Sequence, residues 1–192
     1  MPAEMEDAFA LLGFAPRPLI DEAALKERYL QLAAARHPDS SAGDDEKFHR
    51  LQVAYKKLRE PASRLLHLAE LGSHSERRKG TGPTPDAELF LAAGSAVHLA
   101  RGVFERVEKS TSVLARALLC REIAAVLRDV RNASKSVQTA REELVKSLEN
   151  FDRRWPEVSR DELSALASSF KFLSRWTTEL SEWEFRLASI KA

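Results

Sequence analysis

A single cysteine in 192 residues leaves the chain without an internal disulfide or a Cys-x-x-Cys metal or redox site. That scarcity fits a reducing compartment and predicts a cytoplasmic protein. No uninterrupted apolar run approaches the roughly 18 residues of a membrane-spanning helix, so no membrane partner is expected. The opening residues, MPAEMEDAF, are acidic where a secretory signal would be basic and then apolar. Neither sign of charge dominates. Thirty Lys and Arg against 29 Asp and Glu leave a net +1, too little to imply nucleic acid as a partner. Strand-type alternation is missing, as are a nucleophile–base set, a metal-ligand cluster and a phosphate-cradling glycine loop. Neither an enzyme nor a metal site nor a cofactor is expected.

What the chain does have is helical periodicity, and it predicts an all-α fold. Met5, Ala8, Phe9 and Leu12 give a short first helix over Glu4 to Leu12, ended by Gly13 and by Pro16 and Pro18. Asp21 is placed to cap a second helix with Leu25, Tyr29, Leu32 and Ala33 on one face. Pro38 closes it by holding His37 extended. After the loop DSSAGD, Asp44 or Asp45 caps a third helix with Phe48, Leu51, Ala54, Tyr55 and Leu58 along one side. Pro61 stops that helix. A fourth carries Leu65, Leu66, Leu68 and Leu71 up to Gly72.

Residues 73–85, SHSERRKGTGPTP, are too rich in glycine, proline and charge to bury a core and read as a linker. It separates a first domain, 1–72, from a second, 86–192. The second reads as three long helices. The first, from Asp86 to about Lys109, carries Leu89, Ala93, Val97, Ala100, Phe104 and Val107. The next, capped by Ser110 or Thr111, has a seam from Leu119 through Val126, Val137 and Leu148 to Phe151. The last, capped by Ser159, has one from Leu163 through Phe170, Trp176 and Trp183 to Ile190. Steps of three and four sustained this far predict an elongated antiparallel three-helix bundle, and leave self-association open. Arg116, Arg121, Arg128, Arg131, Lys135 and Arg141 outnumber Glu122 and Asp129 on the middle helix, which reads as a solvated face.

His37-Pro38-Asp39 lies in the turn between the second and third helices, with Tyr29 eight residues before His37. In that frame the first domain resembles the J domain of DnaJ-type co-chaperones. More narrowly, VAYKKLREPASRLLHLAELG is similar to a characteristic stretch of HscB, the co-chaperone of iron–sulfur cluster assembly, with Leu58, Arg59, Pro61, Arg64, Leu68 and Gly72 in register. The resemblance implies a protein that binds a DnaK/HscA-class ATPase chaperone through His37, Pro38 and Asp39, with Lys26, Arg28 and Arg36 as the cations of the docking helix. It also implies stimulation of that chaperone's ATP hydrolysis while the C-terminal helices deliver a client. Leu89, Phe90 and Leu91 stand where HscB meets the iron–sulfur scaffold protein, the client it implies. The glutamates of that face are replaced here by Ala92 and Ser95, which makes a different client the alternative. Leu30 and Gln31 stand where DnaJ carries a basic pair, so a weaker and less salt-sensitive ATPase partnership is expected. The competing expectation is a J-like interaction or structural protein that stimulates no ATPase.

Overall fold

A computed structural model describes residues 6–36, 44–72, 86–110 and 113–190, the side chains of residues 113, 115 and 116 excepted. The described residues form seven helices and no strand. They are α1 (Ala8–Leu12), α2 (Glu22–Arg36), α3 (Asp45–Arg59), α4 (Pro61–Leu71), α5 (Ala87–Lys109), α6 (Val113–Arg154) and α7 (Arg160–Ala188). The linker at 73–85 lies outside the described residues.

Each boundary has a local chemical cause. Asp7, in extended geometry, accepts from Phe9 N at 2.8 Å and Ala10 N at 3.3 Å, so α1 begins at Ala8 rather than at Glu4. Gly13, at φ 76°, ends it in the left-handed conformation that a side chain disfavours. Asp21 Oδ1 takes the amides of Ala23 and Ala24, and Asp44 Oδ1 takes that of Lys47. Pro61 occupies the first turn of α4, where its missing N–H costs nothing. Asp86 caps α5 through Glu88 N. Ser110 is the C-cap of α5, and Thr111 lies outside the described residues.

The chain divides into two compact units. The first comprises Met1–Pro83 together with Val145–Ser168, so the α6–α7 turn belongs with the first four helices. Phe9, Leu12, Leu25, Leu51, Leu58, Leu65 and Leu68 are all fully buried there. Asp152, just before the turn, binds the segment joining α1 to α2: Arg17 Nη2 lies 2.9 Å from its Oδ2, and Leu19 N donates to Oδ1 at 3.2 Å.

The second unit comprises Thr84–Leu144 and Ser169–Ala192. It is a three-helix assembly of α5, the first part of α6 and the last part of α7. Arg106 on α5 pairs with Glu122 on α6, Arg131 on α6 pairs with Glu184 on α7, and Phe104 meets Trp183 edge-on at 5.9 Å. The seam residues Val126, Val130, Ala133, Val137, Phe170, Leu173, Trp176, Leu180 and Trp183 are buried, whereas Leu119 and Ile123 are only half-buried. The middle helix therefore loses part of its cover toward its N-terminal end. α5 is long and apolar enough to cross a bilayer by composition, with a mean hydropathy of 1.2 over 18 residues. Its Ala93, Ala96, Val97, Ala100 and Val103 are buried in this unit instead.

Candidate functional site

His37, Pro38 and Asp39 lie outside the described residues. Their frame does not. Asp44 N donates to Arg36 O at 3.4 Å, which brings the end of α2 to the start of α3 across residues 37–43. One face of this hairpin is fixed by Tyr29 and Tyr55, whose rings stack with centroids 4.2 Å apart and planes 15° apart. Asp44, which caps α3, has its carboxyl held below the usual range by hydrogen bonds from the Lys47 backbone and side chain.

Beneath the hairpin sits an anchor that sequence reasoning noted only as a family match. Arg64 is 2% exposed and donates from Nε to Pro18 O at 2.8 Å and from Nη1 to Leu58 O at 2.7 Å. One guanidinium thus ties α4 to the end of α3 and to the segment that leads into α2. Burial lowers its pKa, against the opposing pull of Glu22 and Glu60. Beside it His67 is buried, stacked on Phe9, and accepts from Ala8 N at 3.0 Å through Nε2. Sequence reasoning gave His67 no role. Its spacing of three from Arg64 and four from Leu71 was the available signal that it shares their face of α4.

The three predicted docking cations do not form one stripe. At 100° per residue, Lys26 and Arg28 point about 160° apart around α2. Lys26 is exposed, and Arg36 is half-buried at the end of the helix. Arg28 Nε donates to Leu12 O at 3.4 Å, closing the end of α1. Leu30, 54% exposed, lies one turn beyond Lys26, so an apolar side chain sits beside that cation, while Arg28 is exposed on the other side of the helix.

On α5, the predicted client residues are side by side with different exposure. Leu89 is half-buried and shares a shallow hollow of about 380 Å³ with Lys135, Thr139 and Glu143 of α6. Phe90 is 51% and Leu91 65% exposed. Phe90 belongs to an aromatic cluster that the sequence did not reveal, 5.9 Å from both Phe172 and Trp176 of α7. Phe172 entered no predicted seam, because it falls between two seam positions of its own helix. Phe90 and Leu91 make this face apolar and aromatic at its exposed part, with Glu88 one turn before Leu91 and Asp86 and Glu143 bordering the Leu89 hollow.

Among the described residues the geometry offers surfaces for binding: the hairpin of α2 and α3 and an exposed apolar face on α5. Comparison with known proteins gives these parts a setting. Residues 7–67 match the family model described as the DnaJ domain. No curated protein matches the chain. Among solved structures, the chaperone HscB from Vibrio cholerae is similar over 95% of this chain and 99% of its own, at 16% identity and a TM-score of 0.57. The human co-chaperone protein HscB is similar over 94% of this chain and 86% of its own, at 17% identity and a TM-score of 0.54. Residues 7–67 are thus a DnaJ domain, followed by packed helices, and the fold of the chain is similar to that of HscB.

Proposed function

We propose that this protein is a J-domain co-chaperone: it binds a DnaK/HscA-class ATPase chaperone through His37, Pro38 and Asp39, stimulates ATP hydrolysis, and presents a client on its C-terminal helices. The observation that carries this reading is the coincidence of the DnaJ-domain match over 7–67 with a His-Pro-Asp sequence between α2 and α3. Pro38 stiffens the turn, Asp39 accepts charge-assisted hydrogen bonds from a partner arginine, and His37 donates or accepts at the same surface. Lys26 and Arg28 are the exposed cations of the docking helix, on opposite sides of it. Arg36 acts at its end, and Arg28 serves partly to hold α1.

The client surface is the exposed pair Phe90 and Leu91 with Leu89 behind them. The family resemblance makes an iron–sulfur scaffold protein the first client to test, in a cytoplasmic setting. A client without a basic docking face suits the missing glutamates better. A second reading, a J-like interaction module without stimulation, is favoured by the spread of Lys26 and Arg28 around α2. One experiment separates the two. Single-turnover ATP hydrolysis by the host's DnaK-class chaperones is expected to accelerate with the wild-type protein, by tenfold or so, and not with His37→Gln. Equal rates with and without the wild-type protein, for every such chaperone, overturn the co-chaperone reading.

A further inference from the structure

The middle helix carries a second surface, of which only Lys135 borders the proposed client face, at the Leu89 hollow. Arg121, Arg128 and Lys135 are exposed and spaced by seven residues. Two helical turns separate successive members, so the three stand nearly in line, roughly 10 Å apart over roughly 21 Å of α6. None of them has an ion-pair partner among the described residues. Of their anionic neighbours, Glu122 pairs with Arg106 of α5 and Asp129 projects about 100° from Arg128. Beyond Lys135 the row gives way to Glu142, which accepts from Gln138, and to Asp86 and Glu143 of the hollow that Lys135 borders. Arg131 borders the row but is paired with Glu184.

At its N-terminal end the row meets an apolar patch. Leu114 is 71% and Leu118 75% exposed, and both fall within about 60° of Arg121 around the helix. Two leucines that exposed, followed by three unpaired cations in register, form an amphipathic docking strip. Scattered surface hydrophobes need no explanation, but a leucine pair continuous with an uncompensated charge row does.

We infer that this face of α6 binds an acidic helix of a partner protein, with apolar residues at one end seated on Leu114 and Leu118 and carboxylates at seven-residue spacing set against Arg121, Arg128 and Lys135. Charge complementarity selects acid, and the heptad spacing selects a helix lying alongside. Nucleic acid fits less well. Duplex DNA carries about one charge per 1.7 Å and is held by many phosphate contacts, whereas this row offers three cations over roughly 21 Å and leads into leucines. The inference does not rest on ATPase stimulation and survives if that fails.

The test uses the full chain and a fluorescein-labelled 21-residue helical peptide with leucines in its first turn and glutamates at every seventh position. Anisotropy is expected to give saturable binding that weakens from 50 to 300 mM salt. Arg121→Ala/Arg128→Ala/Lys135→Ala is expected to weaken binding about tenfold, at slightly more than a twofold loss for each exposed charge pair. Leu118→Asn is expected to cost about fivefold or more through lost apolar burial, while a scrambled peptide of equal charge binds more weakly. Circular dichroism confirms that both variants stay helical. No saturable binding overturns the inference, as does binding that both variants leave unchanged. Tighter binding to a 20-base-pair duplex overturns it in favour of nucleic acid. A dimer in sedimentation that the triple variant dissolves would make the occupant a second copy of this chain.

Discussion

His67 is a basic residue held neutral inside the first unit. Its Nε2 accepts the Ala8 amide, so the ring proton sits on Nδ1, which has no hydrogen-bond partner among the described residues. Burial and the nearby Lys57 depress its pKa, while Asp7 and Glu70, each with a carboxylate oxygen 3.8 Å from the ring, oppose the shift. The sign follows directly. With the folded value below the ordinary 6.5, the unfolded chain takes up the proton first as pH falls. The stability that neutral His67 contributes is complete above 6.5 and declines as pH drops from there toward the folded value. Urea midpoints at pH 7.5 and 5.5 should therefore differ in the wild type, and differ less in His67→Gln, whose amide oxygen can still accept from Ala8. An equal drop in both proteins would assign the pH sensitivity to other groups. Neither His67 nor Arg64 was legible as a buried anchor from one sequence, because burial of a polar side chain depends on what the tertiary fold closes over it. Arg64 was visible as a motif match, but its hydrogen bonds to Pro18 and Leu58 carbonyls were not.

Helix ends were far more legible, since a cap is chosen by residues within one turn of it. Asp21, Ser159 and, as one of two candidates, Asp44 were readable as caps, and the structure gives each the amide it needs, as it does Asp86, read only as the start of α5. Ser159 forms a full capping box. Its Oγ accepts from Glu162 N at 3.2 Å, and Glu162 Oε2 accepts from Ser159 N at 3.0 Å and from its hydroxyl at 2.9 Å. Arg154 Nη2 adds an ion pair to the same carboxylate at 2.7 Å. Burial acts to raise the Glu162 pKa, but the Ser159 hydrogen bonds and Arg154 outweigh it and the carboxyl ends below its ordinary 4.5. The box thus stabilises the fold above pH 4.5, and its ionic part is lost as pH falls through the folded value. Glu162→Gln is expected to lower stability by about 1 kcal/mol at pH 7, the usual scale of a lost cap, with the difference from wild type shrinking toward pH 3. Guanidinium titrations at the two pH values measure it, and a difference that stays constant would refute the ionic assignment. Less legible were positions where one helix leaves another behind. Leu119 and Ile123 continue the α6 seam in sequence, yet they are half-exposed because a seam is buried only where a partner helix reaches it.

At the scale of the whole chain, composition and periodicity made the all-helical class and the order of helices plain, because those follow from local pattern. Which distant segments share a core does not. Residues 145–168 read along the chain as part of two long C-terminal helices, whereas they belong to the compact unit of the first four helices. Nothing near Asp152 in sequence announces Arg17, 135 residues away, whose guanidinium also donates to the Asp152 carbonyl at 3.4 Å. The ion pair itself is half-exposed on the arginine side, so screening leaves it little worth, and the Leu19 amide held by Asp152 Oδ1 is the stronger part of the tie. Val158, Leu163 and Leu166 around the turn are buried as well, and burying such side chains contributes about 1.5–3 kcal/mol each. The first four helices should therefore lose stability when cut from the turn that completes their unit. Amide hydrogen exchange tests this directly: in a fragment of residues 1–83, amides in α3 and α4 are expected to exchange at least about a hundredfold faster than in the full chain, the equivalent of about 3 kcal/mol. Asp152→Ala in the full chain is expected to give a smaller acceleration, about fivefold, centred on the start of α2. Equal protection in the fragment and the full chain would mean that helices α1 to α4 are stable alone and that the turn packs on them without contributing.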